Sequence, residues 1–467
     1  MVFSSLFFLY MFLPICLVMY FATKNISYRN FILTAFSLVF YAWGEPTWVF
    51  LLVFSASIDY LNGIIIDKYR NTFKAKLAVI GSLVTNLGLL GFFKYSGFVV
   101  ENINAAFSLN LHVPEIALPI GISFYTFQTI SYTIDCYWGK VETQKNFGKF
   151  LLYVSMFPQL VAGPIVRYSV IGQEISQRQT TAKDLSDGFS RLTVGLAKKV
   201  IIANNLSVIV DAFFGKNIEN LSVVGTWYAV IIYAMQVYFD FSGYSDMAIG
   251  LGRVFGFHFD ENFNYPFICV NITEFWQRWH ISLGSFFRDY LLYLPIFGKR
   301  RKYLNLFLVW FSTGLWHGAS WNYIIWGLYF GVFIFLELLV GKKRMKKIPK
   351  VIMHIYNKIV IIVGFGIFYF EDGNKLINFL KNLIGLNGNV FFDEAVKVSF
   401  FNNIFLIIVA VIACFPVVQS LKKLMDKSES SFILMKSLQT AANVLLLSVS
   451  SIMLVDATNN PFLYFRF

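Results

Sequence analysis

The sequence predicts an all-α, polytopic integral membrane protein. Hydrophobic residues make up 57% of the 467 positions and charged residues only 14%, against about 25% charged in a typical soluble domain. Apolar stretches long enough to cross the hydrocarbon core, about 20 residues as helix, recur along the chain. The alternating ten-residue pattern of a membrane β-barrel is absent, so helices must satisfy the backbone in lipid. We expect about 11–13 transmembrane or re-entrant helices in a single membrane-embedded domain, residues 1–467.

The basic residues lie mainly in short loops between the apolar stretches. In a soluble domain the net charge of +13 would indicate a nucleic-acid partner. The position of these basic residues in short loops is better explained by the positive-inside rule of membrane proteins. We therefore expect lipid and no nucleic acid as partner. The basic runs at 299–302 and 342–347 should face the cytoplasm. The first apolar stretch, about residues 3–21, follows no basic residue and precedes no small-residue cleavage site, so it is predicted to be a retained span.

The four cysteines do not form a recognisable metal or redox motif. Cys16, Cys136, Cys269 and Cys414 lie far apart in apolar surroundings, without the paired spacings of a zinc or thiol–disulfide site. We therefore expect four unreactive thiols, no bound metal and no bound cofactor.

His317 is the most unusual polar residue of the apolar segments. A helix that starts near Tyr303 at the cytoplasmic face would place His317 roughly 20 Å into the membrane. Ionisable residues at such depth usually face a bundle interior or a water-filled cavity. Gly314 and Gly318 would let a backbone or a ligand approach closely, and an imidazole is the natural general base at neutral pH. A histidine hydrogen-bonded between packed helices is the alternative of about equal weight.

His280 lies in a segment that has the periodicity of an amphipathic helix. Its position falls beside the aromatic stripe and away from the polar one, so it is not part of a solvated face. A membrane-surface or re-entrant helix fits this pattern, and the alternative is an amphipathic helix whose histidine only packs. The polar stripe is Arg278, Ser282, Ser285 and Asp289, and the aromatic stripe is Trp276, Trp279, Leu283, Phe286 and Tyr290.

A third polar cluster follows an apolar run at residues 238–246. It contains two carboxylates, Asp240 and Asp246, with hydroxyl groups and a glycine between them. The cluster is typical of a broken helix that lines a polar cavity. Paired carboxylates also occur in glycosidases and ion sites, but a spacing of six does not bring them together on a regular helix. We therefore favour capping or cavity lining over catalysis, and we assign the same role to Gln159.

Several further motifs occur in a characteristic order along most of the chain. They are MVFSS at 1–5, FYAWGEP at 40–46, LPIGISFY at 118–125, FPQLVAGP at 157–164, YFDFSGYSD at 238–246, NFNYP at 262–266 and NPF at 460–462, together with the two histidine segments. In their order and combined extent these motifs resemble the membrane-bound O-acyltransferase (MBOAT) family, and within it the bacterial branch that includes alginate O-acetylase.

The resemblance implies a fold, an activity and a set of site residues. The fold would be a ring of helices around a central funnel. The histidine in the Leu-Trp-His-Gly context is taken as catalytic in that family, which here is His317. The histidine of the Arg-Trp-His motif is the second essential position, here His280. The residues expected to bind substrate or line the cavity are Trp316, Trp276, Arg278, Asp240, Ser242, Tyr244, Asp246 and Gln159.

These expectations combine into a reaction at the bacterial cytoplasmic (inner) membrane. His317 would act as general base on a hydroxyl that attacks an acyl thioester, and His280 would position reactants or stabilise the oxyanion. The donor would be a cytoplasmic co-substrate such as acetyl-CoA or an acyl-carrier thioester. The acceptor would be an exported or cell-envelope polysaccharide.

Two alternative functions remain open at this point. One is a transmembrane acyl relay that hands the group to an extracytoplasmic acetyltransferase partner, which would use the same histidines. The other is a polytopic transporter or flippase with intramembrane ionisable residues, which would be expected to contain inverted repeats. The sequence contains no convincing internal repeat.

Overall fold

The computed structural model describes residues 1–161, 163–215, 218–295, 298–420 and 429–455, which form helices joined by short loops. This confirms the all-α prediction. The closing NPF motif at 460–462 and residue 162 of the FPQLVAGP motif lie outside the described residues. The chain divides into two compact units: the first contains Met1–Leu192 and Tyr244–Glu261, and the second contains Thr193–Gly243 and the described part of Asn262–Asp456.

The first unit is built from the N-terminal helices. Asn25 caps the N-terminus of the second helix, which begins at residue 26. The Asn25 side-chain oxygen accepts hydrogen bonds from the backbone N–H groups of Ser27 and Tyr28 at 2.9 and 3.2 Å. The helices are α1 (Leu13–Phe21), preceded by a π-helical segment Phe8–Phe12, α2 (Ile26–Gly44), α3 (Trp48–Lys68), α4 (Phe73–Phe107), α5 (Ile122–Tyr137), α6 (Phe147–Ser155), α7 (Phe157–Leu160), α8 (Tyr168–Ser176) and the start of α9 (Ala182–Ala197).

Hydrogen bonds between buried polar side chains connect helices of the first unit. Asp59, fully buried in α3, accepts a hydrogen bond of 2.7 Å from the Asn86 side chain in α4. The buried Arg178 guanidinium donates to the Asn30 side chain at 2.7 Å and to the Tyr20 hydroxyl at 3.0 Å. Because unpaired polar groups are costly in an apolar interior, these bonds fix how the helices pack.

The second unit contains the segments with both histidines. Its helices are α10 (Asn204–Phe214), preceded by a π-helical segment Lys198–Ala203, most of α11 (Val223–Val254), α12 (Ile272–Arg278), α13 (Ile281–Phe287), followed by a π-helical segment Arg288–Leu292, α14 (Lys302–His317), α15 (Trp321–Val340), α16 (Lys342–Met345), α17 (Lys350–Tyr369), α18 (Gly373–Leu383), α19 (Glu394–Asn402), α20 (Ile404–Ala413) and α21 (Glu429–Val455).

Glycines let α14 and α15 pack with their backbones in contact. A Cβ atom added at Gly314 would overlap the carbonyl oxygen of Tyr323, and one added at Gly327 would overlap the carbonyl oxygen of Trp310. The close approach expected at Gly314 is therefore present. It holds the C-terminal end of α14, where His317 lies, firmly against the start of α15.

Six helices of the described residues are long and apolar enough to cross a membrane, or seven if the bent pair α19–α20 forms one span. The α19 and α20 axes differ by 69°. The other apolar stretches form shorter helices, such as residues 8–21, or helices that carry more polar residues. The protein is thus a multi-pass membrane protein that contains both full-length spans and shorter helical segments.

Two local expectations were wrong. The cluster at 238–246 does not break its helix, because α11 continues through it from Val223 to Val254. Gly243 instead permits a close contact within the second unit, since a Cβ there would lie 2.8 Å from the carbonyl oxygen of Gly195. The segment around His280 is not one amphipathic helix: α12 ends at Arg278 and α13 begins at Ile281.

Candidate active site

His317 is the last residue of α14 and is buried, with 6% of its surface exposed. Its imidazole packs against three aromatic rings, with centroid distances of 4.8 Å to Trp316, 4.7 Å to Trp326 and 5.2 Å to Phe368. The rings of Trp326 and Phe368 stand almost perpendicular to the imidazole. The ring of His317 is therefore held in one orientation by its aromatic neighbours.

A small cavity borders His317. Its volume is about 30 Å³, which is room for about two water molecules. A larger substrate group would have to displace some of the surrounding side chains. His317 is the one ionisable side chain among the residues that line this cavity: Val237, Phe241, Phe275, Trp276, Trp279, His317, Trp326, Phe330, Phe365 and Phe368.

His280 lies in the two-residue break between α12 and α13 and is buried, with 2% of its surface exposed. Its backbone is left-handed (φ 46°, ψ 54°), a conformation that costs a non-glycine residue about 1–3 kcal/mol. Surrounding hydrogen bonds hold this turn: Ile281 N–H donates to the backbone carbonyl of Asn262 at 2.9 Å, and Asn264 N–H donates to that of Arg278 at 2.9 Å. The strained turn aims the imidazole inward instead of continuing the helix.

Asn262 is a polar partner of His280. It is fully buried, and its side-chain oxygen Oδ1 lies 3.1 Å from His280 Nδ1, 2.8 Å from Ser282 Oγ and 3.2 Å from Ser282 N. Burial lowers the pKa of the His280 imidazole to about 3, since the charged form loses its hydration. The ring is therefore neutral at physiological pH.

The two histidines share aromatic neighbours. The Trp316 ring lies 5.6 Å from the His280 ring and 4.8 Å from the His317 ring, between centroids. Phe241 packs edge-on against His280 at 4.7 Å and also lines the cavity beside His317. The structure thus brings together four of the residues expected from the sequence, His317, His280, Trp316 and Trp276.

Glu337 anchors the segment that carries His280. This carboxylate is buried in α15 and accepts hydrogen bonds from Ile272 N–H (2.7 Å), Thr273 N–H (2.9 Å) and the Thr273 hydroxyl (2.6 Å). A negative charge at these positions is favourable because the first backbone N–H groups of α12 lack helical partners. Sequence reasoning missed Glu337, although a lone acid in an apolar span was a usable signal.

Asp240 forms a buried ion pair with Lys199. The Lys199 Nζ lies 2.5 Å from Asp240 Oδ1, and the two side chains are 4% and 2% exposed. Lys199 belongs to the π-helical segment Lys198–Ala203. Asp240 directly precedes Phe241, which contacts His280, so the pair supports the aromatic wall without lining the cavity itself. Lys199 was also missed by sequence reasoning.

The remaining residues expected at the site do not line the cavity. Arg278 is partly exposed and pairs with Glu274 at 2.9 Å. Ser242 is buried in α11. The other three belong to the first unit: Tyr244 stacks on Phe3 at 4.8 Å, Asp246 pairs with Arg191 at 2.9 Å, and the Gln159 side chain donates to the Tyr153 carbonyl at 2.5 Å.

All four cysteines are buried as free thiols. Among the residues that the structure describes, no group of three or more histidine, cysteine or acidic side chains is arranged to hold a metal ion.

Known proteins are similar to this chain over much of its length. A protein named probable alginate O-acetylase AlgI, from Pseudomonas aeruginosa, is 40% identical over 381 residues, which cover 80% of this chain and 72% of that protein. The peptidoglycan O-acetyltransferase of Helicobacter pylori is 33% identical over 426 residues, 83% of this chain and 80% of that protein. The teichoic acid D-alanyltransferase of Bacillus subtilis is 31% identical over 230 residues, 46% and 57% of the two chains.

The family match covers the segment that contains both histidines. Residues 142–372 match the model of the MBOAT, membrane-bound O-acyltransferase family. This match and the 40% identity over four fifths of the chain bear out the resemblance stated from the motifs. The chain is an O-acyltransferase and belongs to the membrane-bound O-acyltransferase (MBOAT) family.

Proposed function

We propose that this protein transfers an acetyl group from a cytoplasmic thioester, such as acetyl-CoA or an acyl-carrier thioester, to a hydroxyl of an exported or cell-envelope polysaccharide. Its site of action is the bacterial cytoplasmic membrane. The similarity to proteins named for O-acetylation of alginate and of peptidoglycan supports both the acetyl group and the polysaccharide acceptor. The basic segments at 299–302 and 342–347 support a cytoplasmic entry for an anionic donor.

The observation that carries this proposal is the imidazole of His317 at an otherwise apolar cavity. A hydroxyl is a weak nucleophile until a base takes its proton, and imidazole is suited to that task near neutral pH. The hydroxyl oxygen attacks the thioester carbonyl carbon while its proton passes to His317. The carbon–sulfur bond then breaks, and the leaving thiolate takes the proton from His317, so the ring returns to its starting state.

Trp276 can supply a hydrogen bond to the developing oxyanion. It lines the cavity with His317, and its indole Nε1 is buried without a hydrogen-bond partner among the described residues. A buried N–H group without a partner costs about 1–3 kcal/mol, and a bound carbonyl oxygen would recover that cost. Donors that are fixed before the reaction are the usual means of stabilising a tetrahedral intermediate.

The proposal is tested with a deletion strain that expresses the wild type, His317→Ala, or the control His112→Ala. His112 is an exposed loop residue, so its replacement removes a histidine without touching the site. Mass spectrometry of the envelope glycans should show O-acetyl esters with the wild type and with His112→Ala but not with His317→Ala. Membrane abundance and thermal unfolding of the three proteins should agree, which separates lost chemistry from lost folding.

Two results would contradict the proposal in different ways. Full glycan acetylation by His317→Ala would remove this residue from the catalytic role. Acetylation that disappears when an extracytoplasmic acetyltransferase is deleted, although this protein is present and intact, would show that it acts as an acyl relay and does not modify the polymer itself.

A further inference from the structure

The orientation of the Asn262 amide is fixed by a backbone donor. Ser282 N–H points at the end of the side chain at 3.2 Å, and a backbone N–H can only donate a hydrogen bond. The atom it meets must therefore be the amide oxygen and not the NH₂ group. The Ser282 hydroxyl, 2.8 Å from the same atom, is compatible with this assignment because a hydroxyl can donate.

The amide orientation determines the tautomer of His280. Its Nδ1 lies 3.1 Å from the same amide oxygen, and an oxygen of this kind only accepts. Nδ1 must therefore carry the proton. A neutral imidazole has one N–H, so Nε2 is left with a lone pair. A charged ring with protons on both nitrogens is disfavoured at a position with 2% exposure.

We propose that Asn262 is a positioning residue that holds His280 as the Nδ1–H tautomer, with the lone pair on Nε2. The same residue fixes the backbone turn, since its carbonyl accepts from Ile281 N–H and its side chain accepts from Ser282 N–H. One buried amide thus sets the ring orientation, the tautomer and the left-handed conformation of His280 together.

This inference changes the role of His280 within the proposed function, on which its mechanistic part rests. A neutral imidazole with its lone pair on Nε2 accepts a hydrogen bond from a hydroxyl but cannot donate one to an oxyanion. Nε2 of His280 is therefore excluded as the donor to the oxyanion. The oxyanion is left to fixed N–H donors such as Trp276.

The tautomer is measured directly on the full chain in lipid bilayers, with ¹⁵N-labelled histidine and solid-state NMR. The chain has five histidines, and the His280 signals are assigned by their loss in His280→Ala. The expected spectrum shows a protonated Nδ1 and an unprotonated Nε2 for His280. A protonated Nε2 or a doubly protonated ring in the wild type would overturn the proposal, whatever the protein's activity.

Variants at Asn262 connect the tautomer with turnover, measured as acetyl transfer from acetyl-CoA to glycan in membrane vesicles. Asn262→Asp keeps an accepting oxygen, so it should keep the Nδ1–H tautomer. Asn262→Leu is similar in size but has no hydrogen-bond acceptor. Its kcat should fall at least about tenfold, as is usual when the group that orients a reactive histidine is removed. Its KM for acetyl-CoA should stay within about twofold of wild type. Ser282→Ala removes only the second donor and should keep the tautomer.

The control is Asn382→Leu. Asn382 is also buried in the second unit, but its side chain donates to the Ile218 carbonyl at 2.5 Å and not to the His280 segment. Wild-type kcat in Asn262→Leu would overturn the positioning role. If Asn262→Leu fails to fold, the wild-type and Asn262→Asp spectra still decide the tautomer. An Nδ1–H tautomer in a wild-type protein that transfers no acyl group would refute the proposed function and leave the tautomer assignment standing.

Discussion

Removing one charge of the buried Lys199–Asp240 pair should destabilise the protein strongly. Asp240→Asn leaves a lysine ammonium with 4% exposure and without its carboxylate 2.5 Å away. Loss of one partner of a buried pair costs about 3–5 kcal/mol, because the remaining charge stays desolvated without the carboxylate that faced it. At roughly 2–4 °C per kcal/mol for a unit of this size, Tm should fall by about 10 °C.

The measurement is thermal unfolding of the purified protein in detergent, followed by tryptophan fluorescence. The double variant Lys199→Met/Asp240→Leu removes both charges at similar volume, so it should recover most of the lost Tm. As a matched control, Glu394→Gln breaks the exposed Lys397–Glu394 pair (3.3 Å) and should change stability by less than about 1 kcal/mol. An Asp240→Asn protein that unfolds at the wild-type temperature, or a double variant worse than the single one, would refute this reasoning.

Two further predictions use the same unfolding measurement. Glu337→Gln keeps the shape of the side chain but removes the negative charge at the start of α12, so it should destabilise the protein by about 1–3 kcal/mol. Acyl transfer should also fall, because the segment that carries His280 is held less firmly. Unchanged stability and unchanged acyl transfer would contradict the anchoring role. Gly327→Ala should lower Tm or prevent folding, because the added methyl group would overlap the Trp310 carbonyl oxygen. The control Gly91→Ala in α4, where the space around the glycine is open, should be neutral or stabilise the protein by about 0.5–1 kcal/mol. Equal effects of the two alanines would contradict the close-packing explanation.

The sequence was most informative where one local property determines the structure. Composition and apolar stretches predict an all-α membrane protein because lipid leaves the backbone no partner outside a helix. The helix that ends at His317 was predicted to start near Tyr303, and it starts at Lys302. The small residue Gly314 indicated a close helix contact, and α15 provides it.

Features that depend on distant partners were not predictable from local pattern. Lys199 and Asp240 are 41 positions apart, and Asn262 and His280 are 18 apart, so no periodicity connects them. The break at His280 was hidden because apolar spacing continues across it, while hydrogen bonds from elsewhere stabilise the left-handed turn. Gly243 was predicted to break its helix. Glycine is instead needed there because the backbone of Gly195 packs closely against it.

The tight aromatic enclosure of His317 has a consequence for fidelity. A base strong enough to activate a sugar hydroxyl would activate water equally well, and water is present at about 55 M in bulk solvent. In an open, water-filled pocket the thioester would therefore be hydrolysed. A cavity of about 30 Å³ walled by large aromatic rings admits little competing solvent. The bulk of these rings therefore limits how much water can compete for a thioester held beside His317.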